Sequence, residues 1–127
     1  EMTAGWRVGL GICYDLRFPR LAEYYRQRGA DLLIYPGAFN LTTGPLHWEL
    51  LQRATATQQQ LFVATCAPAR NDHGYISYAH SMVSDPMGRV LAEAGTEEQI
   101  LVVDLHRPLI EETRRNIPIS QQQRPIS

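Results

Sequence analysis

The chain has 127 residues, 44% of them hydrophobic and 20% charged, with a formal net charge of −1. That length supports the core of one ordinary domain, and the balanced charge excludes an electrostatic footprint for nucleic acid or an anionic membrane surface. Every basic side chain is an arginine, the two cysteines are too few for a disulfide scaffold, and no run approaches the ~20 apolar residues of a membrane span. A small-molecule partner and a reducing compartment, the cytoplasm or a mitochondrion, are the expectations.

From Trp6 to Cys13 the large apolar residues Trp6, Val8, Leu10 and Ile12 alternate with Arg7, Gly9 and Gly11. This is a strand period that leaves one face lined by glycine, against which something must pack closely. Pro19 suits the first turn of a helix running through Tyr24 and Tyr25 and ended by Gly29, and Asp31 to Tyr35 reads as a buried strand. The result is a parallel strand-helix-strand unit. Tyr24 and Tyr25 are adjacent on the helix, so at most one of them faces fully inward. A loop with Pro36, Gly37, Gly44 and Pro45 follows, then a second helix from about Leu46 to Gln59, with Trp48 and Leu51 inward and Leu50 a further candidate. The strand Leu61 to Cys66 repeats the alternation. Asn71-Asp72-His73-Gly74 and Asp85-Pro86-Met87-Gly88 punctuate short strands, Gln99 to Leu105 forms another, and Pro108 opens a last helix to about Asn116. The tail from Ile117 has no period of its own and is expected to fray or cross a partner surface.

Cys13 stands at the end of an apolar strand, before polar residues and a Pro-initiated helix, where open α/β sheets place their sites. A lone cysteine is usually a small hydrophobe. Here the strand-to-helix turn shares the logic of a nucleophile elbow, presenting the thiol while the backbone N–H of Tyr14 can point at a developing oxyanion. Asp15 could be proposed as the base, yet an acidic residue before a helix more often caps it or pairs with a neighbour such as Arg17, and the structural reading is favoured. Arg17 is either a surface cation or a bidentate holder of a substrate carboxylate, and the residues alone leave both open. Cys66 is expected to be buried and inert. His47, His73, His80 and His106 share no ligand spacing with each other or with the cysteines, so neither a metal nor a cofactor is expected.

Together these residues resemble a known family. Gly11-Ile12-Cys13-Tyr14-Asp15-Leu16-Arg17-Phe18-Pro19 looks like the nucleophile segment of the nitrilase superfamily, the carbon-nitrogen hydrolases. Gly29 to Phe39, Thr43-Gly44-Pro45 with His47-Trp48-Glu49-Leu50-Leu51, Cys66 to Arg70, and His80-Ser81 with Asp85-Pro86 and Gly88 follow the same family in order, most closely its omega-amidase branch. Ordered matches along a chain are far more specific than one short motif.

The resemblance implies an α/β fold, with residues 1–127 as the carboxyl-terminal half of a single domain built as a four-layer αββα sandwich, usually dimeric or larger. It implies hydrolysis of non-peptide amides through a Glu, a Lys and a Cys, of which Cys13 matches the last. In that chemistry the Glu takes the thiol proton, the thiolate attacks the amide carbonyl, ammonia leaves, and water hydrolyses the thioester, with the Lys and the amide of Tyr14 on the oxyanion. Arg17 and Thr43 match positions expected to hold the substrate's distal carboxylate, with Phe39 as a pocket wall, and the implied substrates are 2-oxoglutaramate and 2-oxosuccinamate. The family's Glu and Lys lie upstream of its Cys. This chain has no Lys, and Glu1 is too close to Cys13 along one strand to replace the carboxylate. The chain by itself is therefore expected to be inactive, either as part of a complete homodimeric amidase or as a shortened relative acting as an interaction module. Departures from the family pattern include Arg20 for a Glu, Thr55 and Gln58 for an Arg and an acid, Ala79 for a Gly, and Met87 for a Trp.

Overall fold

A computed structural model describes residues 5–126, so Glu1 lies outside the described residues. The elements run in the order β1 (Val8–Leu10), α1 (Pro19–Gln27), β2 (Leu32–Pro36), α2 (Glu49–Gln59), β3 (Phe62–Cys66), β4 (Met82–Ser84), β5 (Val90–Glu93), α3 (Pro108–Asn116) and α4 (Ile119–Gln122). The strands form one mixed sheet in sequence order. β1, β2 and β3 are parallel neighbours joined through helices, as the strand-helix-strand reading requires, and β4 and β5 add antiparallel strands through hairpins.

Side-chain alternation along the strands divides the core between the two faces of the sheet. Leu33, Tyr35 and Val63 meet Ala22 of α1 and Trp48 and Ala56 from the α2 region on one face. Leu32 and Phe62 meet Ile110 of α3 on the other, with Trp6, Ile34, Ala64 and Leu105 around them. The glycine-lined face of the first strand is where the close packing occurs: a Cβ on Gly9 would lie 2.6 Å from the Tyr25 ring, and one on Gly11 2.5 Å from the Tyr35 ring. Tyr25 is the inward member of its pair and donates its hydroxyl hydrogen to the Leu10 carbonyl at 2.7 Å, while Tyr24 is exposed.

Several expectations need correction. Leu50 points outward, 62% exposed, because α2 is preceded by a π-helical turn, Gly44–Trp48, and the inward stripe that starts at buried Trp48 continues at Leu51, three residues on, rather than at Leu50. Cys66 is exposed. It shares the alternation of Phe62 and Ala64, but it lies at the end of β3, past the part of that face where the α3 cluster sits. Residues 99–105 alternate as a strand would, with Ile100 and Val102 90% and 91% exposed and Leu101, Val103 and Leu105 half-buried, but they pair with no strand among the described residues. Periodicity reports the two faces of an extended segment and not whether a ladder partner exists. The tail folds into α4, tied down by the Arg26 guanidinium donating to the Ser120 hydroxyl and by Gln60 Nε2 donating to the Ile117 carbonyl at 2.8 Å.

Ala79, standing where the family pattern has glycine, adopts a φ of 67°, and His80 follows at 62°. Two successive side-chain-bearing residues in the left-handed region hold stored strain, on the order of 1–2 kcal/mol each. The Trp48 indole N–H donates to the His80 carbonyl at 2.8 Å and fixes this kink against the core.

Since the Gly9 position faces Tyr25 and Leu33 at less than contact distance, Gly9→Ala is expected to destabilise the fold by about 1–3 kcal/mol. Urea denaturation monitored by tryptophan fluorescence measures this, and an unchanged midpoint would show that α1 shifts at little cost.

Candidate active site

The site is a turn built where β1 stops. Gly11 still donates to the Ile34 carbonyl at 2.9 Å, so the extended chain stays on β2 one residue beyond the strand. The backbone then reverses into a tight 3₁₀ turn, Cys13–Arg17. Cys13 itself takes a φ of 42°, a left-handed conformation that a non-glycine residue holds only when its surroundings fix it. Two contacts do so. The Asp15 carboxylate accepts the Ile12 backbone N–H at 2.9 Å, a structural role as expected, although it caps the 3₁₀ turn and neither the following helix nor Arg17. Gly37, after β2, lies so close beneath that a Cβ on it would stand 2.6 Å from the Cys13 Cα.

The half-buried Cys13 thiol points to the Ala38 carbonyl, with Sγ 3.8 Å from the oxygen. Among the described residues no carboxylate, histidine or arginine is hydrogen-bonded to it. Tyr35, buried under the turn, has its phenol pushed up to about 12, first by burial and then by Tyr25 and Asp15. It therefore stays protonated at neutral pH and does not act as a base there.

One turn on, Arg17 lies over the Phe39 ring at 4.7 Å and near the Tyr14 ring at 5.5 Å. Its Nη1 donates to His47 Nδ1 at 3.3 Å. Among the described residues it makes no ion pair with a carboxylate. Phe39 is buried and packs on Trp48 with ring centroids 4.8 Å apart. Thr43 sits at the end of a turn organised by Asn40, whose side-chain oxygen accepts from the N–H groups of Thr42 and Thr43 at 2.9 and 2.7 Å and from the Thr43 hydroxyl at 3.0 Å. That hydroxyl can donate to a ligand only by giving up the Asn40 bond.

The structure thus groups Cys13, Tyr14, Arg17 and Phe39 on facing turns, and Thr43 begins the segment that carries His47. Sequence reasoning missed four parts: the Ala38 carbonyl, Gly37 as a spacer, Asn40 as the organiser of its turn, and His47 as the partner of Arg17. Asn40 was legible as an Asx-turn former ahead of Thr-Thr-Gly-Pro. His47 gave no signal because the contact joins residues 30 apart in the chain. Flanking Cys13 in the chain, the apolar residues Leu10, Ile12, Tyr14 and Phe18 are each more than half exposed, and the Tyr14 and Phe18 rings lie 5.8 Å apart. Among the described residues no helix is long and apolar enough to cross a membrane.

Comparison with known proteins identifies the family. The family model described as carbon-nitrogen hydrolase matches residues 2–115. The omega-amidase NIT2 of Mus musculus is 59% identical over 119 residues, which cover 93% of this chain and 43% of that protein. The crystal structure of Saccharomyces cerevisiae Nit3, a member of branch 10 of the nitrilase superfamily, superposes with a TM-score of 0.89 at 48% identity, over 93% of this chain and 44% of that one. An amidase from Nesterenkonia sp. AN1, seen with acrylamide added at its active-site cysteine, superposes with a TM-score of 0.71 at 28% identity, over 95% of this chain and 47% of that one. The chain therefore spans less than half the length of these relatives. With an ordered family match over nearly its whole length and the same fold as solved members, it belongs to the carbon-nitrogen hydrolases of the nitrilase superfamily.

Proposed function

We propose that this chain is the carboxyl-terminal half of an omega-amidase domain, contributing the nucleophile and the acid-recognising side of the active site. The observation that carries the reading is the pairing, on one tight turn, of a strained and presented thiol with a guanidinium that has no carboxylate partner among the described residues. The similarity to the mouse omega-amidase supports the substrate class, and the Nesterenkonia amidase supports a cysteine as the reacting residue.

In this reading the Cys13 thiolate attacks the terminal amide carbon of a short acid such as 2-oxosuccinamate or 2-oxoglutaramate. The backbone N–H of Tyr14 lies in the first turn after the strand, where N–H groups have no intrahelical acceptor, and it donates to the oxyanion. Ammonia leaves, and water cleaves the thioester to the dicarboxylic acid. The base for the thiol and the cation for the oxyanion come from outside these residues, since the thiol's polar neighbour is a carbonyl and the chain has no lysine. The exposed apolar surface of Leu10, Ile12, Tyr14 and Phe18 is where the part bearing those groups would seat. At the other end of the substrate, Arg17 holds the distal carboxylate, Phe39 keeps the guanidinium flat, and Thr43 closes the pocket when its hydroxyl leaves Asn40.

Ammonia release from 2-oxosuccinamate tests the proposal: the full-length protein carrying this segment should turn over and residues 1–127 alone should not. In the full-length protein, Cys13→Ala should lower kcat on the order of 10⁴-fold or more, and turnover surviving that change would remove Cys13 from the chemistry. Arg17→Met should cost acids with a distal carboxylate roughly 10–100-fold in kcat/KM, and simple aliphatic amides much less. An equal loss for both classes would make Arg17 structural. Gly37→Ala should lower kcat by displacing the Cys13 backbone, on the scale of ~10²-fold for a misplacement near 1 Å, and normal turnover in that variant would show that the turn adapts.

A further inference from the structure

Resting on the amidase reading above, the geometry points to His47 as a positioning residue that aims Arg17 at the acid end of the substrate. The two aromatic rings beside Arg17 attract its guanidinium, with Phe39 at 4.7 Å and Tyr14 at 5.5 Å from its central carbon. That attraction does not fix how the fork is turned, because a ring face attracts the cation without preferring one N–H over another. A directional bond is needed for that. Among the described residues the side-chain hydrogen bond of Arg17 is the one from Nη1 to His47 Nδ1, at 3.3 Å. A guanidinium has no acceptor, so the imidazole accepts, which places its lone pair on Nδ1 and its proton on Nε2.

The contact does more than link two side chains. His47 lies in the π-helical turn Gly44–Trp48, and the next residue, Trp48, is buried against Phe39 and anchored to the His80 carbonyl. One packed unit therefore carries both the aromatic platform under Arg17 and the acceptor that sets its rotation. With Nη1 held on one side, the remaining N–H groups of the fork are presented as a fixed edge, and a carboxylate is the planar two-oxygen anion that matches such an edge. A neutral acceptor suits this task better than an aspartate or glutamate, which would hold Arg17 equally well but neutralise the charge the substrate needs. Thr43, by contrast, is committed to Asn40 and does not reach Arg17 by any hydrogen bond among the described residues.

The test compares the full-length protein carrying this segment with its His47→Ala and His47→Asn variants on two amides of equal length, one ending in a carboxylate (succinamate) and one ending in a methyl group (butyramide). His47→Ala should raise KM for succinamate about tenfold, the loss of one charge-assisted hydrogen bond, with kcat within about twofold and butyramide much less affected. His47→Asn, whose Oδ1 stands where Nδ1 stood, should recover most of the loss. An equal loss for both amides, a fall confined to kcat, or no recovery with Asn would overturn the positioning role. If the parent protein turned over neither amide, the amidase reading would fail instead. His47 would then be judged by calorimetric titration of succinate: binding about tenfold weaker in His47→Ala sustains the inference, and unchanged or absent binding overturns it.

Discussion

The carboxyl ends of β1 and β2 approach so closely that Gly11 has no room for a side chain beneath the Tyr35 ring and Gly37 has none beneath Cys13. The reversal of the chain at Cys13 depends on this approach. With bulkier residues the two strand ends would separate, the Asp15 carboxylate would no longer be held over the Ile12 N–H, and the left-handed conformation at Cys13 would relax to an ordinary one. Because the strain sits in a turn clamped on both sides, the direction in which Cys13 projects from the backbone is set by packing.

The same packing separates two tasks by one turn of chain. Cys13 faces the Ala38 carbonyl, while Arg17 faces an aromatic platform and an imidazole. Neither contact neutralises a charge or abstracts a proton. Among the described residues the thiol has no proton acceptor beside it other than the carbonyl, and Leu10, Ile12, Tyr14 and Phe18, which flank Cys13 in the chain, are exposed. The exposed Ile100 and Val102 lie on an extended segment that forms no ladder among the described residues. Large apolar surface beside polar chemistry and unpaired extended chain are both features that a further structural element would cover.

Behind the platform, strain is held by packing in a second place. The π-helical turn widens the backbone just where Trp48 enters the core, and the indole in turn holds the left-handed Ala79-His80 kink through the His80 carbonyl. Gly44 fits against the Tyr78 ring within the same cluster. Phe39 is fixed from below by Trp48, and its carbonyl accepts the Tyr78 N–H at 2.8 Å. The platform under Arg17 therefore rests on the core and not on a loose loop, which keeps the position of a long arginine defined.

Much was legible in the sequence because it is carried by local rules. The alternation of Trp6 to Ile12 and its bare glycine face foretold a strand closely packed on that face, Pro19 and Pro108 marked helix starts that the structure places at those residues, and the ordered motifs around Cys13 identified the family. A structural role for Asp15 was readable from its place before a helix, but its partner, the Ile12 N–H, was not. What tertiary structure decided was whatever depends on a partner distant in the chain. Cys66 and Leu50 carry the right composition for burial yet face outward, because the α3 cluster does not extend to one and a widened turn rotates the other. Residues 99–105 show a strand's period without a strand's hydrogen bonds, since alternation records which side is wet and a ladder requires a second backbone. His47 meets Arg17 across 30 residues of sequence, a contact that no spacing encodes and that exists only because β2, its following turn and the helix beyond it fold back over the Cys13–Arg17 turn.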